Sequence, residues 1–363
     1  MKSKPLTTFI LSLLDDISPG KNDTHWRRLK FSLRGNWVSL VASVITLFLE
    51  LSAVTVPGSI PHDQVPVHVS LLLGVYSCIF AQVYLVRRVH LLQRCLALIA
   101  SAASRVEEHV DAESQRAMLR TVRRGPRMRR FFNMCGAATE VLVVFSLFST
   151  PPRWGESQDR VWLHYAILLM ETYATSCCLN AFYTVIVYLL NVCRACADLH
   201  VALARRLETG HATSTCASVQ GVVLNATLVL NAATSDLLPH LLFGVVGVPL
   251  ISTVEVVSSG NLQDIYAVGT APLLLTLFVP ICLTGERLGE ARREVAFRAA
   301  LGPWLEELPV VRRLRLGILV AAEGRGAQLR GSGIGLLDKP ACLQALKSWF
   351  SFVQMMLNLR DKA

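Results

Sequence analysis

The sequence predicts an all-α protein that crosses a membrane seven times, with a cytoplasmic N-terminus and long cytoplasmic helical extensions. Three observations carry that prediction. Hydrophobic residues make up 52% of the 363-residue chain and charged residues only 17%, with a mean hydropathy of +0.44, whereas a soluble domain carries about 25% charged residues. The apolar residues are gathered into blocks long enough to span a bilayer, which takes about 17 to 25 residues. The Lys and Arg residues fall between the blocks, thirty in alternate connections and four in the others.

Residues 1–36 form an N-terminal segment with seven basic residues. Lys2 and Lys4 followed by LTTFILSLL imitate a leader, yet Asp15 and Asp16 come at once and no small-residue cleavage site appears. An amphipathic segment lying on the membrane is expected instead. The first span, 37–58, leads through SIPHDQ, which has no Lys or Arg, to the second at 66–86. Eleven basic residues, ending in the run Arg123 to Arg130, separate it from the third span at 131–150. PPRWGESQDRV carries two and leads to the fourth span at 162–190. Three more precede the fifth span at 219–256, none lies in 257–264, and the sixth span covers 265–286. Nine separate it from the seventh, at 336–359. The positive-inside rule puts the N-terminus inside and the C-terminus outside. Spans four and five exceed a bilayer's thickness, so each is expected to continue out of it as one helix.

The cytoplasmic connections also read as helices. In residues 89–122 the positions Leu91, Leu92, Cys95, Leu96, Leu98, Ile99, Val106, Val110, Met118 and Leu119 recur every three or four residues with charges between them. Residues 196–208 and 286–322 behave likewise, up to the Gly-rich break EGRGAQLRGSGIG. Such helices must bury their apolar stripes, which predicts a helical cluster beneath the bilayer where subunits meet. The chain thus divides into the segment 1–36, the six-span body 37–335 and the terminal helix 336–363.

The net charge of +10 flanks spans and lacks interleaved aromatic residues, so it serves orientation and anionic lipid rather than nucleic acid. None of the ten cysteines falls in a predicted outer loop, and Cys193-x-x-Cys196 has no second pair to complete a zinc site. Motifs for metalloproteases, phosphate loops and nucleophile elbows are absent, so no enzyme activity, cofactor or metal is expected. The main carboxylates within spans are Glu50, Glu140, Glu171, Asp236 and Glu255. Glu50, Glu140 and Glu255 are placed towards outer span ends, in reach of water. Glu171 and Asp236 are placed deeper, in a solvated cavity or an internal ion pair. His164 and His240 read as packed histidines.

The last span, ACLQALKSWFSFVQMMLNLR, carries Gln344, Lys347, Ser351, Gln354 and Asn358, spaced 3, 4, 3 and 4 apart. On a helix they form one polar stripe. A polar row in a membrane can bond a neighbouring helix, line a cavity within the subunit, or wall a pore shared among subunits.

The segment GSGIGLLDKPACLQALKSWFSFVQMMLNLR resembles the C-terminal signature of the insect chemoreceptor superfamily. Leu346, Lys347, Phe350, Ser351, Phe352 and Arg360 follow the odorant-receptor pattern, with Phe in place of both tyrosines. Gly285, Trp304, Arg312 to Leu316 and the Gly-rich break resemble the family's run between its last two spans. Asp338 resembles the gustatory branch, which stands second to the odorant branch. The resemblance implies a ligand-gated, non-selective cation channel of four subunits in the plasma membrane of chemosensory dendrites. It implies that the last helix lines the pore, with the gate at Met355 and Leu359, the filter at Asn358, and Ser351 and Gln354 on or beside the wet face. A small, volatile, apolar ligand would bind in an outer-half cavity near Tyr76, Phe145, Phe148, Met170, Tyr173 and Tyr266. The implied partner is a shared olfactory co-receptor in a heterotetramer, whereas a gustatory receptor would form a channel of its own kind. A secondary transporter is the more distant alternative, without the matching halves it needs. A G-protein-coupled receptor would need the inverse orientation.

Overall fold

The structure is a computed structural model, described here for residues 4–17, 37–56, 65–108, 111–149, 158–208, 213–259, 265–324 and 328–360. It is all-helical apart from one two-stranded hairpin among these residues. The helices are α1 (Pro5–Ile17), α2 (Trp37–Thr55), α3 (Val65–Arg87), α4 (Val89–Glu107), α5 (Ala112–Ser149) and α6 (Gln158–Glu208). They continue with α7 (Thr213–Thr234), α8 (Leu237–Ser259), α9 (Ile265–Thr270), a π-helical segment (Leu274–Phe278), α10 (Val279–Leu301) and α11 (Pro309–Glu323). Strands β1 (Arg330–Gly331) and β2 (Gly335–Leu336) pair antiparallel ahead of α12 (Lys339–Arg360).

Two layers follow from how these helices meet. Arg88, between α3 and α4, pairs at 3.2 Å with Asp236, between α7 and α8. Both junctions therefore lie at one level. On one side of it stand α2, α3, α8, α12 and the corresponding parts of α5, α6 and α9–α10. On the other, where the basic residues gather, lie α1, α4, α7, α11 and the continuations of α5, α6 and α10. Among the described residues, six helices are long and apolar enough to cross a membrane, and α2 is a shorter apolar one. Helix α7 is among the six, yet it packs on α4, α6 and α11 within the basic layer.

Helix α2 shows which solvent the first layer is built for. Ser39, Ser43, Thr46 and Glu50 are buried, while Val38, Val41, Ile45 and Phe48 are exposed. A helix with polar groups inside and apolar groups outside is stable against lipid rather than water. Glu50 receives His68 Nδ1 of α3 at 2.7 Å, so it is a buried paired carboxylate rather than a water-seeking one.

Helix α6 is the axis of the molecule. Its 51 residues extend about 76 Å at 1.5 Å per residue, more than twice the hydrocarbon thickness, and it runs through both layers as expected of span four. Span five does not. It breaks at Ser235 and Asp236, and Asp236 is exposed at that break rather than deep in a span. The chain turns there because Asp236 is held by Arg88 and by the Ser332 hydroxyl at 3.1 Å. Ser332 N–H also donates to the Ser235 carbonyl at 2.9 Å.

Helix α1 also departs from expectation. Leu6, Phe9, Ile10, Leu13 and Ile17 turn into the protein against α4 and α5, so its apolar face is spent on the core and not on lipid. The Glu107 carboxylate accepts the free N–H groups of Leu6 and Thr7 at 2.7 and 3.2 Å, an anion at a helix N-terminus. Phe9 sits over Gly125 of α5, where a Cβ would lie 2.3 Å from its ring.

Candidate functional site

Five walls surround an apolar cavity in the first layer, the fifth shared by α9 and the π-helical segment. α3 contributes Leu71, Gly74, Val75, Ser77 and Cys78; α5 contributes Thr139 and Val143. α6 adds Thr175, Cys178, Leu179, Phe182 and Tyr183, and α8 adds Gly244, Val245 and Val248. Thr270 of α9, with Leu273 and Leu277 at the π-helical segment, closes it. The space open within the cavity is about 70 Å³, below the roughly 300–1,000 Å³ of sites that hold drug-sized ligands. Its wall is built from small and β-branched side chains, so the space comes from side chains that stop short.

Polar groups in the wall are few. Tyr183 and Thr139 hydroxyls meet at 3.1 Å, and Ser252 Oγ meets Thr270 Oγ1 at 2.7 Å. Ser77 is different. Its hydroxyl is buried with no partner, and it presses against Gly244, where a Cβ would stand 2.3 Å from its oxygen. A buried hydroxyl without a hydrogen bond is costly, and Ser77 is among the residues that line the cavity.

Beside the cavity, Pro272 and Pro280 each withdraw a backbone N–H, and the helix between them widens to the π form. The wall at Leu273 and Leu277 is therefore the least regular of the five.

The expected ligand residues lie elsewhere. Tyr76 points to α8, where its hydroxyl meets His240 Nδ1 at 2.9 Å among the Phe80 and Phe243 rings. Phe145 and Phe148 are more than half exposed and Tyr173 is 37% exposed, while Met170 is half-buried. Tyr266 belongs to α9, and its side chain lies outside the described residues. None of the five described side chains lines this cavity. A search for aromatic and Met residues could not find it; the signal would have been Gly74 and Gly244 opposite small-residue neighbours.

Helix α12 begins at Asp338, whose carboxylate accepts the Ala341 N–H at 2.9 Å as an N-cap. It rests on α8 and α10 through Cys342, Ala345, Leu346 and Trp349. Gln344, Lys347, Ser351, Gln354 and Asn358 are all exposed, together with Phe350 and Met355. The polar stripe is thus turned away from its own subunit. Leu359 continues the helix, and its side chain lies outside the described residues.

Gly285, singled out upstream, seats this helix, and Arg315 anchors the turn between α10 and α11. A Cβ on Gly285 of α10 would lie 2.1 Å from the Leu337 carbonyl, so only glycine lets the segment before α12 lie on α10. A Cβ on Gly302 would lie 2.0 Å from the Arg315 guanidinium. Arg315 is fully buried, donates to the Glu307 carboxylate at 3.0 and 2.9 Å and to the Leu207 carbonyl at 3.1 Å, and stands over the Trp304 ring.

No family model matches the chain, and no curated protein matches it in sequence. Its fold is similar to that of the insect olfactory receptor OR5 from Machilis hrabei, with a TM-score of 0.77 and 9% identity, covering 98% of this chain and 97% of that one. The same receptor in complex with eugenol matches with a TM-score of 0.75, again at 9% identity and 98% coverage of this chain. At that identity the likeness is one of fold.

Proposed function

We propose that this chain is an odorant receptor subunit of a ligand-gated, non-selective cation channel. A small volatile ligand enters the apolar cavity between α3, α5, α6, α8 and the π-helical segment, and opens a central pore walled by α12. The carrying observation is the outward polar face of α12. A row of five polar side chains on a membrane-length helix, facing no helix of its own subunit, calls for water and for further copies around an axis. The eugenol complex of a receptor with this fold supports a small, partly oxygenated ligand, and Ser77 gives such a ligand one hydrogen bond.

In this reading four subunits, one or more of them a shared co-receptor, enclose the pore in the plasma membrane of chemosensory dendrites, with the basic layer in the cytoplasm. Met355 and Leu359 form the gate by excluding water, and Asn358 presents amide dipoles to hydrated cations. Tyr76, Phe145, Phe148, Met170 and Tyr173 then belong to the approach and frame of the cavity rather than its lining. The capping role of Asp338 accounts for that residue without invoking the gustatory branch.

The experiment is cysteine substitution at 351, 354 and 358 in chains co-expressed with the co-receptor. Thiol reagents from the aqueous phase should reduce odour-evoked current at all three sites. Protection of all three in resting and stimulated cells would remove α12 from the pore. Odour-evoked current from this chain expressed alone would move the assignment to the self-assembling gustatory type.

A further inference from the structure

We propose that a second, acidic chamber between α5 and α6 binds the protonated amino group of a small aliphatic amine, with Glu140 as its specificity residue. The chamber adjoins the apolar cavity: Tyr183 and Leu179 line both. The space open within it is about 350 Å³. Gly136 keeps the partition thin, since a Cβ there would meet the Tyr183 ring at 3.1 Å.

Its chemistry is unlike that of its neighbour. Glu140 and Asn133 of α5 face Ser176 and Asn180 of α6 across it, and the Ser176 hydroxyl donates to the Glu140 carboxylate. No Lys, Arg or His is among the residues that line it. Glu140 stands at the middle of the stretch 131–149, with nine uncharged residues on either side. At 1.5 Å per residue it is roughly 14 Å from both ends of that stretch, not near an outer end. A carboxylate at such a depth calls for a cationic partner, and the walls of the chamber supply none while leaving room for one.

A primary ammonium fits what is offered. It has three N–H donors and no acceptor, and the Glu140 carboxylate, with Asn133 and Asn180 also in the lining, offers it acceptors. Its alkyl part would lie along Phe132, Leu179 and the Tyr183 ring, on the reverse of the apolar cavity's wall. A lipid headgroup amine is held about 14 Å away by the same depth, so the source is a free amine.

Binding is read on the purified full chain in phosphatidylcholine nanodiscs, by thermal unfolding with hexylamine and with hexanol, which differ only in the polar group. Hexylamine should raise the Tm of the wild type at neutral pH. Glu140→Gln should weaken hexylamine at least about tenfold, as expected for lost charged hydrogen bonds, and leave the hexanol shift in place. An equal hexylamine shift in wild type and variant overturns the proposal. So does a hexanol shift without a hexylamine shift, an outcome that leaves the receptor reading intact. A Glu140-dependent hexylamine shift without any hexanol shift supports the acidic chamber and counts against the apolar cavity as a ligand site. If Glu140→Gln does not fold, Asn180→Leu keeps the carboxylate and removes one acceptor; hexylamine should weaken about fivefold, and unchanged affinity overturns the proposal.

Discussion

Ser77 concentrates what a single residue can do in this protein. Most of the cavity wall can favour a ligand only by burial, worth about 25 cal/mol per Å² of apolar surface removed from water. That term rewards size and discriminates poorly among ligands of equal length. One unpartnered hydroxyl changes the ranking, because a neutral hydrogen bond contributes about 0.5–1.5 kcal/mol. Ser77→Ala should therefore weaken an alcohol or phenol by about two- to tenfold while leaving a hydrocarbon of the same shape unchanged, as read by dose–response curves of evoked current. Equal losses for both ligands would assign Ser77 to packing against Gly244. Gly244 itself has no slack: any side chain there displaces the hydroxyl.

At the scale of the element, α12 was legible and the cavity was not, and the reason is periodicity. The spacing of Gln344, Lys347, Ser351, Gln354 and Asn358 states a helix face by itself, and the structure turns that face outward. A cavity between several elements has no period, because Gly74 meets Val248 and Gly244 meets Ser77 only after α3 and α8 have packed. The break in span five was hidden for another reason. Asp236 ends α7 without a Gly or Pro at the break itself, and the available sign was Pro239 in the first turn of α8, where a proline costs no hydrogen bond. For α12 two outcomes are expected in the assembled channel. Met355→Ala should raise basal current, since a smaller side chain holds the pore dry less well; unchanged leak and gating would remove it from the gate. Asn358→Asp should raise divalent permeability in reversal-potential measurements, because it replaces amide dipoles with fixed charge, and unaltered selectivity would exclude it from the filter.

The whole molecule depends on the basic layer staying folded beneath the membrane layer, and the Arg315–Glu307 pair is its most buried ionic contact. Hydrogen bonds from Arg315 hold the Glu307 carboxyl below its ordinary value of 4.5. A carboxyl lowered by folding stabilises fully above its unfolded value and loses that contribution as pH falls through the folded one. The Tm of the purified chain should thus fall with acidification below about pH 4.5, and Glu307→Gln should flatten that limb. The same variant should destabilise by about 3–5 kcal/mol at neutral pH, because it leaves a buried guanidinium without its counter-charge. Near-wild-type stability of the variant would show that Leu207 and Trp304 suffice to hold Arg315. Helix α6 then determines how the two layers can communicate. It touches the cavity through Tyr183 and runs unbroken to Glu208, roughly 38 Å further, enclosed on nearly every side along the way. Like a push-rod in a close-fitting sleeve, it has no hinge in which a small tilt could be lost, so a displacement beside the cavity would be carried along it into the basic layer.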